Sequence, residues 1–166
     1  MIKCYFCEDS KNKDKILENL SLPAYDFRYE DRENKKYIFD IIRKKFVLLT
    51  PEEWVRQNFI CYLTEEKGYI QSLIRVEMFF RLNKLSKRAD ITLFNRKGEP
   101  KVLVECKSPK VSISQVVFEQ VARYNLSFKV DFLIVTNGLQ HYCCKMDYEH
   151  KNYSFLEEIP CFEEMD

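Results

Sequence analysis

Asp90, Glu105 and Lys107 are the residues whose types and spacing could do chemistry in this sequence. They lie on two short alternating segments. In 101–107, Val102, Val104 and Cys106 face one way and Leu103, Glu105 and Lys107 the other. In 88–94, Ala89, Ile91 and Leu93 oppose Arg88, Asp90 and Thr92, and NRKGEP between the two segments reads as a short hairpin loop. Opposed residues of an antiparallel pair have numbers with a constant sum. An even sum would set Asp90 against apolar Val104 or Cys106, so the sum is odd. A sum of 195 leaves a loop at 96–99 closed by Asn95 and Pro100, and it places Asp90 opposite Glu105. Their Cβ atoms would then lie roughly 5 Å apart. Carboxylates that close raise each other's pKa unless a cation sits between them. Such oxygen pairs suit Mg²⁺ or Mn²⁺, which keep waters and take further ligands from a phosphate. Lys107, two residues along the same face, could orient an attacking water or neutralise phosphate charge. The chemistry implied is metal-assisted phosphodiester hydrolysis.

The surrounding elements can be read from the same patterns. KYIFDII and KFVLL (36–42, 45–49) flank a charged step and predict a small hairpin. A helix starts at TPEEWVRQNFICYLTEEKG: Thr50 is an N-cap candidate, Pro51 sits at the first helical position, and Glu53 falls where a capping box wants it. Val55, Phe59, Tyr62 and Leu63 form its apolar stripe and Gly68 closes it. Strands follow at 72–82, 88–94 and 101–107, then a helix at 112–128, a buried strand within 130–138 and a further strand in 139–147. The order αβββαβ predicts an α/β fold with a mixed sheet of four or five strands flanked by helices. The crossover from 101–107 to 130–135 is parallel and right-handed.

Composition narrows the function classes. A chain of 166 residues with 46% hydrophobic and 32% charged residues can build a real core. Its net charge of +1 excludes binding nucleic acid by bulk charge and leaves room for a locally basic groove. No apolar run reaches the ~20 residues of a membrane span. The start, MIKCYFCEDS, lacks a secretory pattern, so the expectation is a cytoplasmic protein without membrane contact. Seven cysteines without framework spacing read as reduced thiols. Residues 1–35 are taken as an N-terminal arm and 36–166 as a single domain.

Asp90, a fourteen-residue gap and then Glu105-Cys106-Lys107 resemble the D…(D/E)-x-K signature of the PD-(D/E)XK nuclease superfamily, and the αβββαβ order resembles its core. TPEEWVRQNF, KRADITLF, VLVECKSP, QVVFEQVARYN and LIVTNGLQHYCCK together resemble the N-terminal nuclease domain of type I restriction enzyme R subunits in its stand-alone form, over roughly 36–160. That resemblance implies a restriction-endonuclease-like fold and Mg²⁺-dependent cleavage of DNA. It implies that Asp90 and Glu105 hold metal, that the main-chain carbonyl of Cys106 adds a ligand, and that Lys107 is the catalytic lysine. Gln120 and Tyr124 fit a Q-x-x-x-Y motif that contacts DNA or orders the ligands, and Glu53 resembles an extra acid near the metal. Ala89 stands where the name-giving proline would be. Partners implied are DNA and restriction-modification or helicase subunits, with self-association left open.

Blander roles stand beside these. Glu105 with Lys107 could be a cross-strand ion pair, Glu53 half of a capping box, and Gln120 with Tyr124 a polar helix edge. Glu77, alternating with Arg75, reads as a solvated charge. Cys4-x-x-Cys7 has ligand spacing but lacks a second pair, although His141, Cys143, Cys144 and His150 leave a zinc site open. Lys101, Lys107, Lys110 and Arg123 could rim a DNA groove. The competing class is a catalytically silent nuclease-like module that binds nucleic acid or a partner protein.

Overall fold

The computed structural model describes residues 17–82, 85–125 and 129–165, and of 80–82, 85–87, 120 and 123–125 the backbone alone. Strands β1 (Tyr29–Arg32), β2 (Lys35–Asp40) and β3 (Lys45–Leu48) form an antiparallel sheet in that order. Two of them, β2 and β3, are the expected hairpin. The third, β1, comes from the segment assigned to the arm, so the small sheet straddles residue 35. Its inner face carries Ile38, Asp40 and Leu49, all buried. The outer face is held by cation–aromatic contacts, among them Arg28 at 3.6 Å from the Phe39 ring centroid. The β2–β3 turn is built around Asp40, whose Oδ1 accepts the backbone N–H groups of Ile42 and Arg43.

Helix α1 (Pro51–Glu65) follows directly. Thr50 caps it by accepting the Glu53 amide at 3.1 Å, with proline in the first turn. Val55, Phe59 and Leu63 of the expected stripe are fully buried, Tyr62 is half-buried, and Ile60 beside them is fully buried as well. The same helix also buries Glu53, Arg56, Gln57 and Asn58, which apolar periodicity does not anticipate.

A six-stranded mixed sheet packs against α1. Its order is β4 (Ile74–Leu82), β5 (Leu85–Phe94), β6 (Pro100–Cys106), β7 (Phe132–Thr136), β8 (His141–Asp147) and β9 (Asn152–Leu156). Only β6 and β7 run parallel, joined through α2 (Gln115–Asn125). The sheet exceeds the expected size because β9 pairs with β8. Its alternation (NYSFL, mostly exposed) is too short to register as a strand in sequence.

Two apolar layers sandwich the sheet. Ile91, Leu93, Val102, Val104, Cys106 and Ile134 lie under α1. Ala89, Leu103, Leu133, Val135 and Cys144 lie under Phe118 and Ala122 of α2. The β5–β6 register is the expected one, with Ile91 opposite Val104, Thr92 opposite Leu103 and Leu93 opposite Val102. It slips by one beyond Leu93, so Phe94 meets Pro100 and the turn is organised by Asn95 instead of a simple 96–99 loop. The Asn95 side chain accepts the amides of Lys97 and Glu99.

Gly138, in the β7–β8 turn, has φ +81, and a Cβ there would stand 2.6 Å from a Leu20 methyl. Its carbonyl also accepts the Ser21 amide at 2.7 Å, which ties the N-terminal segment to the sheet. Gly138→Ala should therefore destabilise the protein by about 1–3 kcal/mol through strain and overpacking. Chemical denaturation would detect this; an unchanged midpoint would show that the Leu20 contact yields freely.

Candidate active site: a carboxylate centre on the central strands

Asp90 lies at a break in regular pairing. The β5–β6 ladder ends at Ile91–Val104, one step before Asp90 would meet Glu105. The β4–β5 ladder pairs Val76 with Ile91 and Met78 with Ala89, and it omits Glu77 and Asp90 between them. Glu77 has φ +54, a left-handed conformation uncommon for a side-chain-bearing residue. Ile91 and Leu93 pack under α1 while Ala89 packs under α2, so the inward–outward alternation slips at Asp90. Irregularities of this kind re-aim a side chain, and here they set Glu77, Asp90 and Glu105 at one level of three neighbouring strands.

Both oxygens of Asp90 are engaged. Oδ1 accepts from Nη2 of Arg56 on α1 at 2.7 Å, and Oδ2 accepts the backbone N–H of Cys106 at 2.7 Å. Arg56 is nearly fully buried, and its other end is paired with Glu53. Burial alone would lower the Arg56 pKa, but Asp90 and Glu53 outweigh it and raise it. The same guanidinium lies 3.4 Å from Glu52, which is half-exposed.

Glu105 faces this group from β6. Its pKa is raised, first by burial and then by the charge of Asp90, with Glu52 adding to the effect. Lys107 donates to Glu105 at 2.6 Å and opposes that rise. Burial would lower the lysine's own pKa, but the hydrogen bond to Glu105 raises it on balance, so Lys107 is held charged. Glu52 is pushed up by burial and then by Asp90. Cys106 contributes its amide; its thiol is buried and raised far above the ordinary thiol pKa, chiefly by burial.

Glu53, expected beside a metal, is held by Arg43, Gln57 and the same Arg56 that binds Asp90. One oxygen accepts from Arg43 Nη2 at 2.6 Å and Gln57 Nε2 at 2.8 Å, and the other pairs with Arg56. It completes only half of a capping box, because the arginines draw its carboxylate away from the Thr50 amide. The acid of α1 that shares a field with Asp90, Glu105 and Lys107 is Glu52. Glu77 is not a solvated charge: it binds Arg43 at 2.7 Å and Arg88 at 3.1 Å. Arg43, Glu52 and Arg56 were missed, and Glu77 misread, because no motif marks them. The usable signals were the i,i+3 and i,i+4 spacing of Arg56 from Glu53 and Glu52, and the register position of Glu77 opposite Asp90.

Gln120 and Tyr124 lie on α2, but their side chains, like that of Arg123, are outside the described residues, as are Cys4 and Cys7. Lys101 pairs with Asp131 at 2.8 Å, and Lys110 lies 4.0 Å from Glu18. Cys143 and Cys144 are buried free thiols, and His150 bonds Asp147. Among the described residues no three His, Cys, Asp or Glu side chains gather in metal-holding geometry.

Charge is the observation that bears on a cation. Asp40, Glu52, Glu53, Glu77, Asp90 and Glu105 form one connected cluster with Arg43, Arg56, Arg88 and Lys107. Among the described residues, six carboxylates against four cations leave two negative charges in a partly buried setting, with the repulsion felt at Glu105 and Glu52. A divalent cation held by Asp90 and Glu105, with water and phosphate as further ligands, fits that donor set.

Fold and site together define a mixed α/β domain with an ion-paired carboxylate centre where its central strands break register. The family model of the type I restriction enzyme R protein N terminus (HSDR_N) matches residues 51–160, more than half of the chain, and the protein belongs to this family. In three dimensions it is similar to the fragment structure of a putative HsdR subunit of a type I restriction enzyme from Vibrio vulnificus YJ016. The TM-score is 0.50 at 23% identity, covering 69% of this chain and 24% of that one, so the likeness bears on fold. No curated protein matches the chain. No helix among the described residues is long and apolar enough to cross a membrane.

Proposed function

We propose that the chain is a metal-dependent DNA endonuclease domain of the PD-(D/E)XK type that works with restriction-modification or helicase subunits. The observation that carries this is the gathering of Asp90, on the Cys106 amide, Glu105, on Lys107, and Glu52, which shares Arg56 with Asp90, in a cluster whose described residues are short of two positive charges. Asp90 and Glu105 would hold Mg²⁺ or Mn²⁺, with the Cys106 carbonyl as a further ligand by family resemblance. The bound ion supplies Lewis-acid polarisation of the scissile phosphate and a lower pKa for its water. Lys107, kept charged by Glu105, presents its ammonium to the phosphate or the attacking water and stabilises the negative charge that develops there. By the same resemblance Gln120 and Tyr124, both in α2, would contact DNA or order the metal ligands.

One observation favours the silent binding module instead: Arg56 and the Cys106 amide already occupy both Asp90 oxygens. Cleavage decides between them. Supercoiled and linear DNA incubated with Mg²⁺ or Mn²⁺ should be cut by the wild type, and Lys107→Ala should slow this by about 10²-fold. Equal cleavage by both proteins would move the chemistry away from Lys107. Metal binding without cleavage on any DNA would favour the silent module.

A further inference from the structure

Arg56 is buried in the middle of the carboxylate cluster, and among the described residues its Nε finds no partner although that atom is fully enclosed. An orphaned buried N–H is unfavourable, so the other contacts of this side chain must outweigh it. Those contacts run in two directions: Nη2 reaches Asp90 Oδ1 and Nη1 pairs with Glu53. Glu53 is in turn gripped by Arg43, which stands on the β2–β3 turn, pairs with Asp40 and reaches across to Glu77. A continuous ionic chain thus joins the N-terminal sheet to Asp90, and Arg43 and Asp40 lie outside the segment 51–160 that matches the family.

We infer that Arg56, with Arg43 behind it, is a positioning residue that stands in for a divalent cation at Asp90, an inference that rests on the metal-binding role proposed for that residue. The guanidinium supplies the positive charge that faces Asp90 and, with the Cys106 amide, fixes the orientation of its carboxylate when no ion is bound. An incoming ion competes with that charge while using the geometry it sets. Two opposite consequences follow from removing the charge and keeping the bulk. The field at Asp90 and Glu105 becomes more negative, so divalent affinity rises. The carboxylate loses one of its two anchors, so turnover at saturating metal falls.

The test is Mn²⁺ affinity by electron paramagnetic resonance, followed by cleavage at saturating Mn²⁺, in wild type, Arg56→Gln and Arg56→Lys. Arg56→Gln should bind Mn²⁺ about tenfold more tightly, since one unit charge is removed from a poorly screened site, and cut DNA more slowly by about tenfold or more. Arg56→Lys keeps the charge without the two-way fork, so its affinity should stay near wild type while turnover falls. A merely structural arginine would lower affinity and turnover together in both variants. Unchanged or weaker Mn²⁺ binding in Arg56→Gln overturns the inference. If Arg56→Gln fails to fold by circular dichroism, Arg43→Gln, joined to Asp90 through Glu53 and Arg56, should show the same tightening at smaller size, and its absence is equally decisive. The affinity measurement is independent of cleavage. A wild type that binds Mn²⁺ without cutting DNA breaks the nuclease proposal and leaves the Arg56 comparison intact. Mn²⁺ binding that emerges only in Arg56→Gln upholds the stand-in role, and binding in none of the proteins overturns it.

Discussion

An Asp90→Asn variant should lose metal-dependent DNA cleavage by about 10²- to 10³-fold and also unfold more easily. The two losses share a cause. Asparagine keeps an acceptor for the Cys106 amide but removes the charge that Arg56 and any bound cation require. Arg56 would then remain buried with Glu53, Glu52 at 3.4 Å and Glu77 at 4.0 Å as its anionic partners among the described residues. Breaking one side of a buried ion pair typically costs about 3–5 kcal/mol, because the remaining charge stays desolvated. For a chain of this length that corresponds to a Tm lower by roughly 6–20 °C. Differential scanning calorimetry reads the second loss and plasmid nicking the first. Wild-type cleavage by Asp90→Asn would place the chemistry elsewhere. An unchanged Tm would mean that the Arg56–Asp90 pair is absent in solution.

The second large effect is a pH dependence that metal should abolish. Burial and then the Asp90 charge raise the Glu105 pKa above the ordinary glutamate value. Between those two values the folded protein holds a proton that the unfolded chain has lost. Stability contributed by Glu105 is therefore complete below the ordinary glutamate pKa and declines as pH rises through the raised one. His141, whose pKa burial lowers, acts in the opposite sense below its ordinary value. The contribution of Glu105 is thus read as the difference between wild type and Glu105→Gln. In EDTA, wild-type Tm should fall relative to Glu105→Gln as pH rises from about 4.5 upward. With Mn²⁺ at about 100 times its Kd, stability should rise by about 2.7 kcal/mol in wild type, and less in Glu105→Gln. Parallel pH profiles for the two proteins in EDTA would show that Glu105 titrates normally and that the three acids do not crowd one another.

Much of this was legible before any coordinates. Alternation in 88–94 and 101–107 required an odd register, and the observed pairs Ile91–Val104 and Leu93–Val102 keep the sum expected from the Asp90–Glu105 argument. The helix start at Thr50, the parallel crossover into 132–136 and the apolar stripe of α1 were likewise readable, because each is a local pattern of period 2 or 3.6 backed by a cap or turn residue. Those signals determined the element order, the mixed sheet and the register that brings Asp90 beside the Glu105–Lys107 end of β6.

Partner choice among charges was decided only by tertiary structure. Arg56 and Asp90 are separated by 34 residues, as are Arg43 and Glu77, and no periodicity links them. Glu52 and Glu53 are adjacent in sequence, yet about 100° of helix rotation turns one toward Asp90 and Glu105 and the other into the grip of two arginines. The left-handed backbone at Glu77 and the slip in alternation at Asp90 lie where the pairing of β5 with both of its neighbours is interrupted. A strand's pleat is written in its own residues. Which buried charges neutralise one another depends on desolvation and distance across the assembled fold.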